Sequence, residues 1–313
     1  MRDKIEKMDK KILIALPVIV LVALSIWARA SIIEIEYKEN QRIVASPYDL
    51  LTLNAKSVYV FDIKTKEVLY SKNEEMQWPL ASVSKLMTAI VAKENAPSGF
   101  SIRTADVLLQ DRGGGDIRSG EWWNLADLID FSLVSSSNDG ALAIASAIGA
   151  IDMKADQTPE ESFIIKMNEK ARALGMNQTY FVNSYGLDIS ENFAGAYGSA
   201  KDISHLLNYA HLNHQDIIEN TSRAHIEIES LSGIKHNIKN TNEITGELSG
   251  LVASKTGFTD LSGGNLAIIF EVGPTHPVIA IVLGSTKEDR FSEIKKLHKA
   301  TLFEIRLRNL SRM

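Results

Sequence analysis

Ser82 and Lys85 stand three residues apart, and those two residue types at that spacing suffice for a nucleophile and its base. A serine hydroxyl is a weak nucleophile near neutral pH and needs a base within about 2.6 to 3.2 Å. Three residues make close to one helical turn, which would bring the Lys85 amine onto the face that carries the Ser82 hydroxyl. Lysine can serve only without its proton, so a pKa ordinarily near 10.4 must fall by about three units, at about 1.4 kcal/mol each. Burial and a second cation both push that way. Lys255 is the expected second cation, and it could also pair with a substrate carboxylate. Ser136 can relay a proton between Lys85 and a leaving amine, while Asn138 can donate and accept. Both belong to Ser135-Ser136-Ser137-Asn138-Asp139-Gly140, between two helical patterns, where a turn would present them to one cleft. In Lys255-Thr256-Gly257, Thr256 adds a hydroxyl for an anion. Gly257 omits a Cβ where an extended substrate would lie beside a strand. The chemistry is acyl transfer through a serine ester, with neither metal nor cofactor.

These groups need a scaffold that brings residues 82, 136 and 255 together. Ser57 to Ile63 and Glu67 to Ser71 are rich in β-formers and predict an antiparallel hairpin, although Lys64-Thr65-Lys66 lacks the favoured Asn-Gly turn chemistry. Ser84 to Asn95 predicts a helix, as do Leu125 to Val134, Ala141 to Ile148, Glu160 to Leu174 and Ala200 to Leu212. Strands return at Val252 to Lys255, Asn265 to Val272 and Val278 to Leu283, and Phe291 to Leu307 has amphipathic helical spacing. Strands at both ends of a helical middle predict an α+β domain with a single, mainly antiparallel sheet built from the two ends of the chain.

The 313 residues, 45% hydrophobic and 23% charged, are enough for one large domain with a substantial core. A net charge of −5 argues against a nucleic-acid partner. The absence of cysteine excludes disulfides, thiolate metal sites and a cysteine nucleophile. At the N-terminus, Arg2, Lys4, Lys7, Lys10 and Lys11 precede an uncharged apolar run from Ile12 to Ala28, which reads as an export signal. Its length favours an uncleaved anchor over a cleaved leader, for which Ala28-Arg29-Ala30 offers a site. The basic flank places the residues beyond Ser31 on the extracytoplasmic face of the plasma membrane, in periplasm or cell wall. The expected layout is a basic stub and membrane or signal segment over 1–30, a stalk over 31–54 and a catalytic domain over 55–313.

Isolated matches decide nothing. Ser-x-x-Lys recurs at Ser232 to Lys235 and Ser292 to Lys295, and Ser-x-Asn at Ser71 to Asn73 and Ser190 to Asn192. Gly113-Gly114-Gly115 has no Gly-Lys-Ser/Thr after it and reads as a loop. His205, His211 and His214 have no accompanying Glu for zinc hydrolysis, and Trp122 and Trp123 read as packing residues ahead of a helix, with a cleft lining as the alternative.

Taken in order, Ser82-Val83-Ser84-Lys85, Ser136-Ser137-Asn138 and Lys255-Thr256-Gly257 carry a resemblance to the low-molecular-mass penicillin-binding proteins, the serine D-alanyl-D-alanine carboxypeptidases. It runs from about Ser57 to Phe291 and takes in Asn138-Asp139-Gly140-Ala141, Phe181-Val182-Asn183 with Gly186-Leu187, Asn240-Thr241-Asn242, and Gly284-Ser285-Thr286-Lys287 followed by Arg290. The resemblance implies a five-stranded antiparallel sheet flanked by helices, a mainly helical lobe, and a site between them. Ser82 would be acylated by a peptidoglycan stem peptide ending in D-Ala-D-Ala, and β-lactams would inhibit it covalently. Backbone N–H groups of Ser82 and Phe258 would form the oxyanion hole. Arg290 would help hold the terminal carboxylate, with an exposed arginine at a helix start as the competing reading. Ser137 and Gly140 depart from the small residues common in relatives, and both should be tolerated. The alternatives are a DD-endopeptidase cutting cross-links and a non-catalytic penicillin-sensing domain. A class A β-lactamase would need a second-base glutamate in an omega-type loop, for which there is no convincing counterpart before Lys255.

Overall fold

The computed structural model describes residues 24–32, 46–105 and 117–311. The chain divides at Leu50 and Leu51. On the N-terminal side, 24–32 is helical and Pro47–Leu50 forms a 3₁₀ turn. No helix among the described residues is long and apolar enough to cross a membrane; most of the expected export segment and stalk, and the triple glycine, lie outside those residues.

From Leu51 onward the elements are β1 (Ser57–Asp62), β2 (Glu67–Lys72), β3 (Trp78–Pro79), α1 (Lys85–Asn95), β4 (Ser101–Arg103), β5 (Trp122–Asn124), α2 (Leu125–Val134), α3 (Asn138–Gly149) and α4 (Pro159–Ala173). Next come β6 (Tyr180–Phe181), β7 (Ala196–Gly198), α5 (Ala200–Asn213), α6 (Gln215–Ile218), β8 (His225–Glu229), β9 (Lys235–Lys239), β10 (Leu251–Thr259), β11 (Gly263–Glu271), β12 (Pro277–Ser285) and α7 (Asp289–Leu310).

The main sheet is antiparallel with strand order β10-β11-β12-β1-β2, so the N-terminal hairpin joins the C-terminal meander through β1 and β12. Both faces are covered, and the alternation of side chains shows how. Ile279, Ile281 and Leu283 enter one core with Ile203, Leu206 and Leu207 of α5. Val278, Ala280 and Val282 are equally buried but face the other way, the side on which α7 packs and where Phe270 lies 4.6 Å from His298, ring to ring. Helices α1 to α4 form the lobe beside this sheet, with Leu86, Ile90, Leu128, Ile129, Ile144 and Phe163 in the same core as the α5 face.

Local chemistry explains most boundaries. Helix α4 begins with a reciprocal capping box, Thr158 accepting from Glu161 N–H and Glu161 accepting from Thr158 N–H, with Pro159 in the first turn. The β1–β2 turn uses Asp62, whose carboxylate accepts from Lys64 and Thr65 N–H, with Lys66 in the left-handed region. The single-sheet expectation is incomplete: β3-β7-β6 forms a small sheet, and β4–β5 and β8–β9 form separate pairs. These strands are too short, or too polar, for an alternating pattern to show them. Trp123 is fully buried against Phe131, whereas Trp122 stays exposed.

Helices α3 and α4 meet at Gly149, where a Cβ would come within 1.8 Å of the Pro159 carbonyl oxygen. Gly149→Ala should therefore lower the unfolding free energy by about 1 to 3 kcal/mol despite alanine's better helix propensity. Urea titration would show this; a neutral or stabilising effect would mean that the crossing is looser than described.

Candidate active site

Ser82 lies in a 3₁₀ turn, Ala81–Ser84, that runs directly into α1 at Lys85. With three residues per turn, positions i and i+3 eclipse, aligning the pair more closely than an α-helix would. Lys85 Nζ is 2.8 Å from Ser82 Oγ, 2.7 Å from Asn138 Oδ1 and 2.7 Å from the Tyr185 carbonyl oxygen. Its side chain is 1% exposed. Burial first, and then the Lys255 charge, hold its pKa well below the lysine range.

An uncharged amine has two N–H donors and one lone pair. Two of its three neighbours are carbonyl oxygens, which can only accept. In that state both N–H groups would go to Asn138 and Tyr185, leaving the lone pair for the Ser82 hydroxyl to donate to. The two carbonyls fix the direction of the Lys85 amine, an arrangement suited to a base as the third member of a catalytic triad suits its histidine.

Ser136 and Asn138 flank Ser137, the N-cap of α3, whose hydroxyl accepts from Gly140 N–H at 3.0 Å. Ser136 adopts φ +61°, a left-handed conformation unusual for serine, and this turn aims its hydroxyl at the second lysine. Lys255 Nζ lies 2.8 Å from Ser136 Oγ and 3.0 Å from the Thr256 carbonyl oxygen. Lys255 is 1% exposed, and burial followed by the Arg290 charge brings its pKa down to about 7. Thr256 Oγ1 and Thr241 Oγ1 are 2.6 Å apart, which brings in the Asn240-Thr241-Asn242 segment. A Cβ at Gly140 would meet Ser137 Oγ and Ile117 Cδ1 at 3.3 Å, so this small residue keeps the cap close.

Two expectations are corrected. At Gly257 the space for a Cβ is taken by the Leu80 carbonyl oxygen, 2.7 Å away, so the glycine lets edge strand β10 pack against the turn bearing Ser82. Arg290 is not an exposed helix-start residue: it is 6% exposed, and its Nη1 donates to the Gly257 carbonyl at 2.7 Å. The helix itself packs on β11 and β12, and the Arg290 side chain reaches from its first turn to the backbone of β10. Phe258 is half exposed, with Lys287 Nζ 5.3 Å above its ring.

One contributor was missed altogether. Nothing in the type of residue 185 marks its carbonyl, but the surrounding turn could have done so. Asn183 accepts from Tyr185 and Gly186 N–H and donates to the Leu187 carbonyl. Gly186, at φ +86°, has no room for a Cβ, which would lie 2.1 Å from the Ala81 carbonyl oxygen. Thr88 donates to the Ser184 carbonyl at 2.6 Å, tying this turn to α1. The repeated short motifs lie elsewhere in other bonds: Ser232 Oγ accepts from Trp122 N–H, and Lys295 pairs with Glu247. His214 meets Glu94, which also receives Lys170 and Tyr209, and no group of three or more metal-ligating side chains occurs among the described residues.

Comparison with known proteins gives the same direction. The profile of the peptidase family described as D-alanyl-D-alanine carboxypeptidase matches residues 40–287. The chain belongs to that family. It is 27% identical over 254 residues to the D-alanyl-D-alanine carboxypeptidase DacF of Bacillus subtilis, covering 79% of this chain and 62% of that protein. It is 34% identical over 221 residues to a D-alanyl-D-alanine endopeptidase of Haemophilus influenzae, covering 69% of this chain and 70% of that protein. An ampicillin-bound penicillin-binding protein of Listeria monocytogenes superposes with a TM-score of 0.64 at 28% identity, over 80% of this chain and 98% of that one. The α+β fold with its antiparallel five-stranded sheet is thus that of the penicillin-binding DD-peptidases, and the protein is a serine hydrolase of that family.

Both buried lysines hold fewer protons in the folded than in the unfolded chain between their depressed pKa and about 10.4, so stability rises with pH through that window. For Lys255 the window opens at about 7, and the gain is lost as pH falls back through it. Chemical denaturation at pH 7, 8 and 9 should show stability increasing by up to about 1.4 kcal/mol per unit and per lysine. Lys255→Met should flatten that slope; an unchanged slope would mean that the amine is not desolvated.

Proposed function

We propose that the protein is a serine-type D-alanyl-D-alanine carboxypeptidase that trims peptidoglycan stem peptides, with Ser82 as the acylated residue. The observation that carries the reading is the buried Lys85 amine, 2.8 Å from Ser82 Oγ and 2.7 Å from both Asn138 Oδ1 and the Tyr185 carbonyl, with burial holding its pKa well below the lysine range.

In this reading Ser82 Oγ attacks the carbonyl carbon of the D-Ala-D-Ala bond as Lys85 takes its proton. The tetrahedral oxyanion is held by the backbone N–H groups of Ser82 and Phe258, each worth about 3 to 4 kcal/mol. Ser136, held by Lys255, passes a proton to the leaving amine and is reprotonated by Lys85, the C–N bond breaks, and D-alanine departs. Water then enters with Lys85 again as base and frees Ser82 as the acid product is released. Lys255, Thr256 and Arg290 are the groups that hold the terminal carboxylate. β-Lactams would occupy the same cleft and acylate the same hydroxyl, as the ampicillin-bound Listeria structure suggests by similarity. The apolar run of residues 12–28 would tether the enzyme outside the plasma membrane.

Cross-link cleavage is a second reading, favoured by the 34% identity to the Haemophilus endopeptidase. The full chain incubated with a pentapeptide and with a cross-linked dimer separates the two by D-alanine release against bridge cleavage. Acylation by a fluorescent penicillin without turnover of either would leave a sensing domain.

Ser82→Ala should abolish both penicillin labelling and hydrolysis, while Ser232→Ala should change neither. For a substrate with a free terminal carboxylate, kcat/KM should fall as pH rises through about 7, because the free enzyme loses the Lys255 charge. An ester or amide of the same peptide should not show that limb. A shared profile would remove Lys255 from carboxylate recognition.

A further inference from the structure

The outer face of α7 has a composition that neither the catalytic site nor the core explains. Lys296, Lys299, Phe303, Arg306 and Leu310 fall within about 80° of arc at 3.6 residues per turn, and all five are exposed. Phe303 is 54% and Leu310 61% exposed. Over the span of the stripe the acidic residue of α7 is Glu304, which lies off it and pairs with Arg308; Glu293 is buried and accepts from Ala55 N–H, and Asp289 stands at the helix start, where it accepts from Asn54 Nδ2. Lys295, at its margin, pairs with Glu247, and Arg308, on the far side of the helix, is neutralised by Glu304 and Glu67. Among the described residues, neither Lys299 nor Arg306 has an acidic partner, and Lys296 reaches only the Thr52 carbonyl at 3.2 Å. A chain of net charge −5 thus presents one helix face that is purely cationic and carries two large apolar side chains.

We infer that this face of α7 lies against an anionic phospholipid bilayer, with Phe303 and Leu310 in the headgroup boundary and Lys296, Lys299 and Arg306 on the phosphates. The charge chooses the occupant. A second copy meeting the first along this stripe would set three cations against three. A soluble polyanion would satisfy the cations but leave Phe303 and Leu310 in water. At the headgroup boundary long cationic side chains reach the phosphates while apolar groups between them enter the acyl edge, which suits this mixture on one exposed face. Each cation near an anionic surface strengthens binding about fivefold, so the three together amount to roughly a hundredfold. The inference concerns a surface remote from the site chemistry and does not depend on which peptide bond is cut.

The absence of cysteine makes the test clean. Full-length chain carrying Phe303→Cys with an environment-sensitive fluorophore is reconstituted in vesicles of phosphatidylglycerol and phosphatidylcholine, or of phosphatidylcholine alone. Leu231→Cys, at the exposed β8–β9 turn, is the control position. The 303 label should shift to shorter wavelength in the anionic vesicles only, revert in high salt, and revert in K296Q/K299Q/R306Q, whose hydrolysis of a soluble substrate should be unchanged. The control label should stay water-like throughout. The inference is overturned by an equal shift in neutral vesicles, by an equal shift at position 231, by a shift with soluble polyphosphate in the absence of lipid, or by no shift at all. Circular dichroism of the triple variant distinguishes loss of the surface from loss of the fold.

Discussion

The site depends on an amine buried without a counter-ion. Among the described residues, no carboxylate is hydrogen-bonded to Lys85 or Lys255, and the charges that act on them are that of Lys255 on Lys85 and that of Arg290 on Lys255. Two ammonium ions in such a space would be costly, because the ordinary remedy for a buried cation is a paired acid. Without one, the proton leaves. The same desolvation that destabilises the charged form fits Lys85 for the base that the proposed mechanism requires, and its two carbonyl neighbours would turn that base toward one hydroxyl. An acid placed beside Lys85 would strengthen the fold and remove the lone pair.

Holding that arrangement requires backbone the chain would not adopt unaided. Ala81 and Ser136, immediately before Ser82 and two residues before Asn138, both have positive φ, at +48° and +61°. Each costs on the order of 1 to 3 kcal/mol and persists only where packing over-determines it. The packing is supplied by glycines. Gly186 and Gly257 admit the Leu80 and Ala81 carbonyls to distances no Cβ would allow, and Asn265 donates to the Pro79 and Leu80 carbonyls. The turn bearing Ser82 is therefore gripped from β10, β11 and the 183–187 turn together.

This division explains what could be read from the sequence. Elements with strong periodicity or caps were legible almost to the residue, as at α2 and α4, and the side chains singled out by chemical type, Ser82, Lys85, Ser136, Asn138 and Lys255, come together in the fold. The β8–β9 hairpin was not legible: its Glu, Lys and Asn residues face water, and only Ile226, Ile238 and His236 are buried. The Tyr185 carbonyl was hidden for a different reason, since a backbone oxygen carries no residue identity. For Arg290 the competing reading, an exposed helix start, fails because the residue is buried with its guanidinium on the Gly257 carbonyl, a tertiary fact with no local signature.

Arg290 also bears on how substrate and proton are coupled. Its charge helps bring Lys255 down to about 7, so near neutrality the free site holds that lysine only partly protonated. A carboxylate entering beside Thr256 would supply the opposite charge that the fold withholds, and an opposite charge favours the protonated lysine. Binding of the anion and uptake of a proton are then linked, each strengthening the other by the same free energy. Lys85 and Lys255 are equally buried, but the pKa of Lys85 is held well below the lysine range and that of Lys255 comes down to about 7, so an added proton would settle on Lys255. The same charge on Lys255 adds to the repulsion that lowers the pKa of Lys85. In the proposed mechanism a buried lysine pair without an acid would thus separate two tasks that one amine could not perform together, holding an anion and accepting a proton.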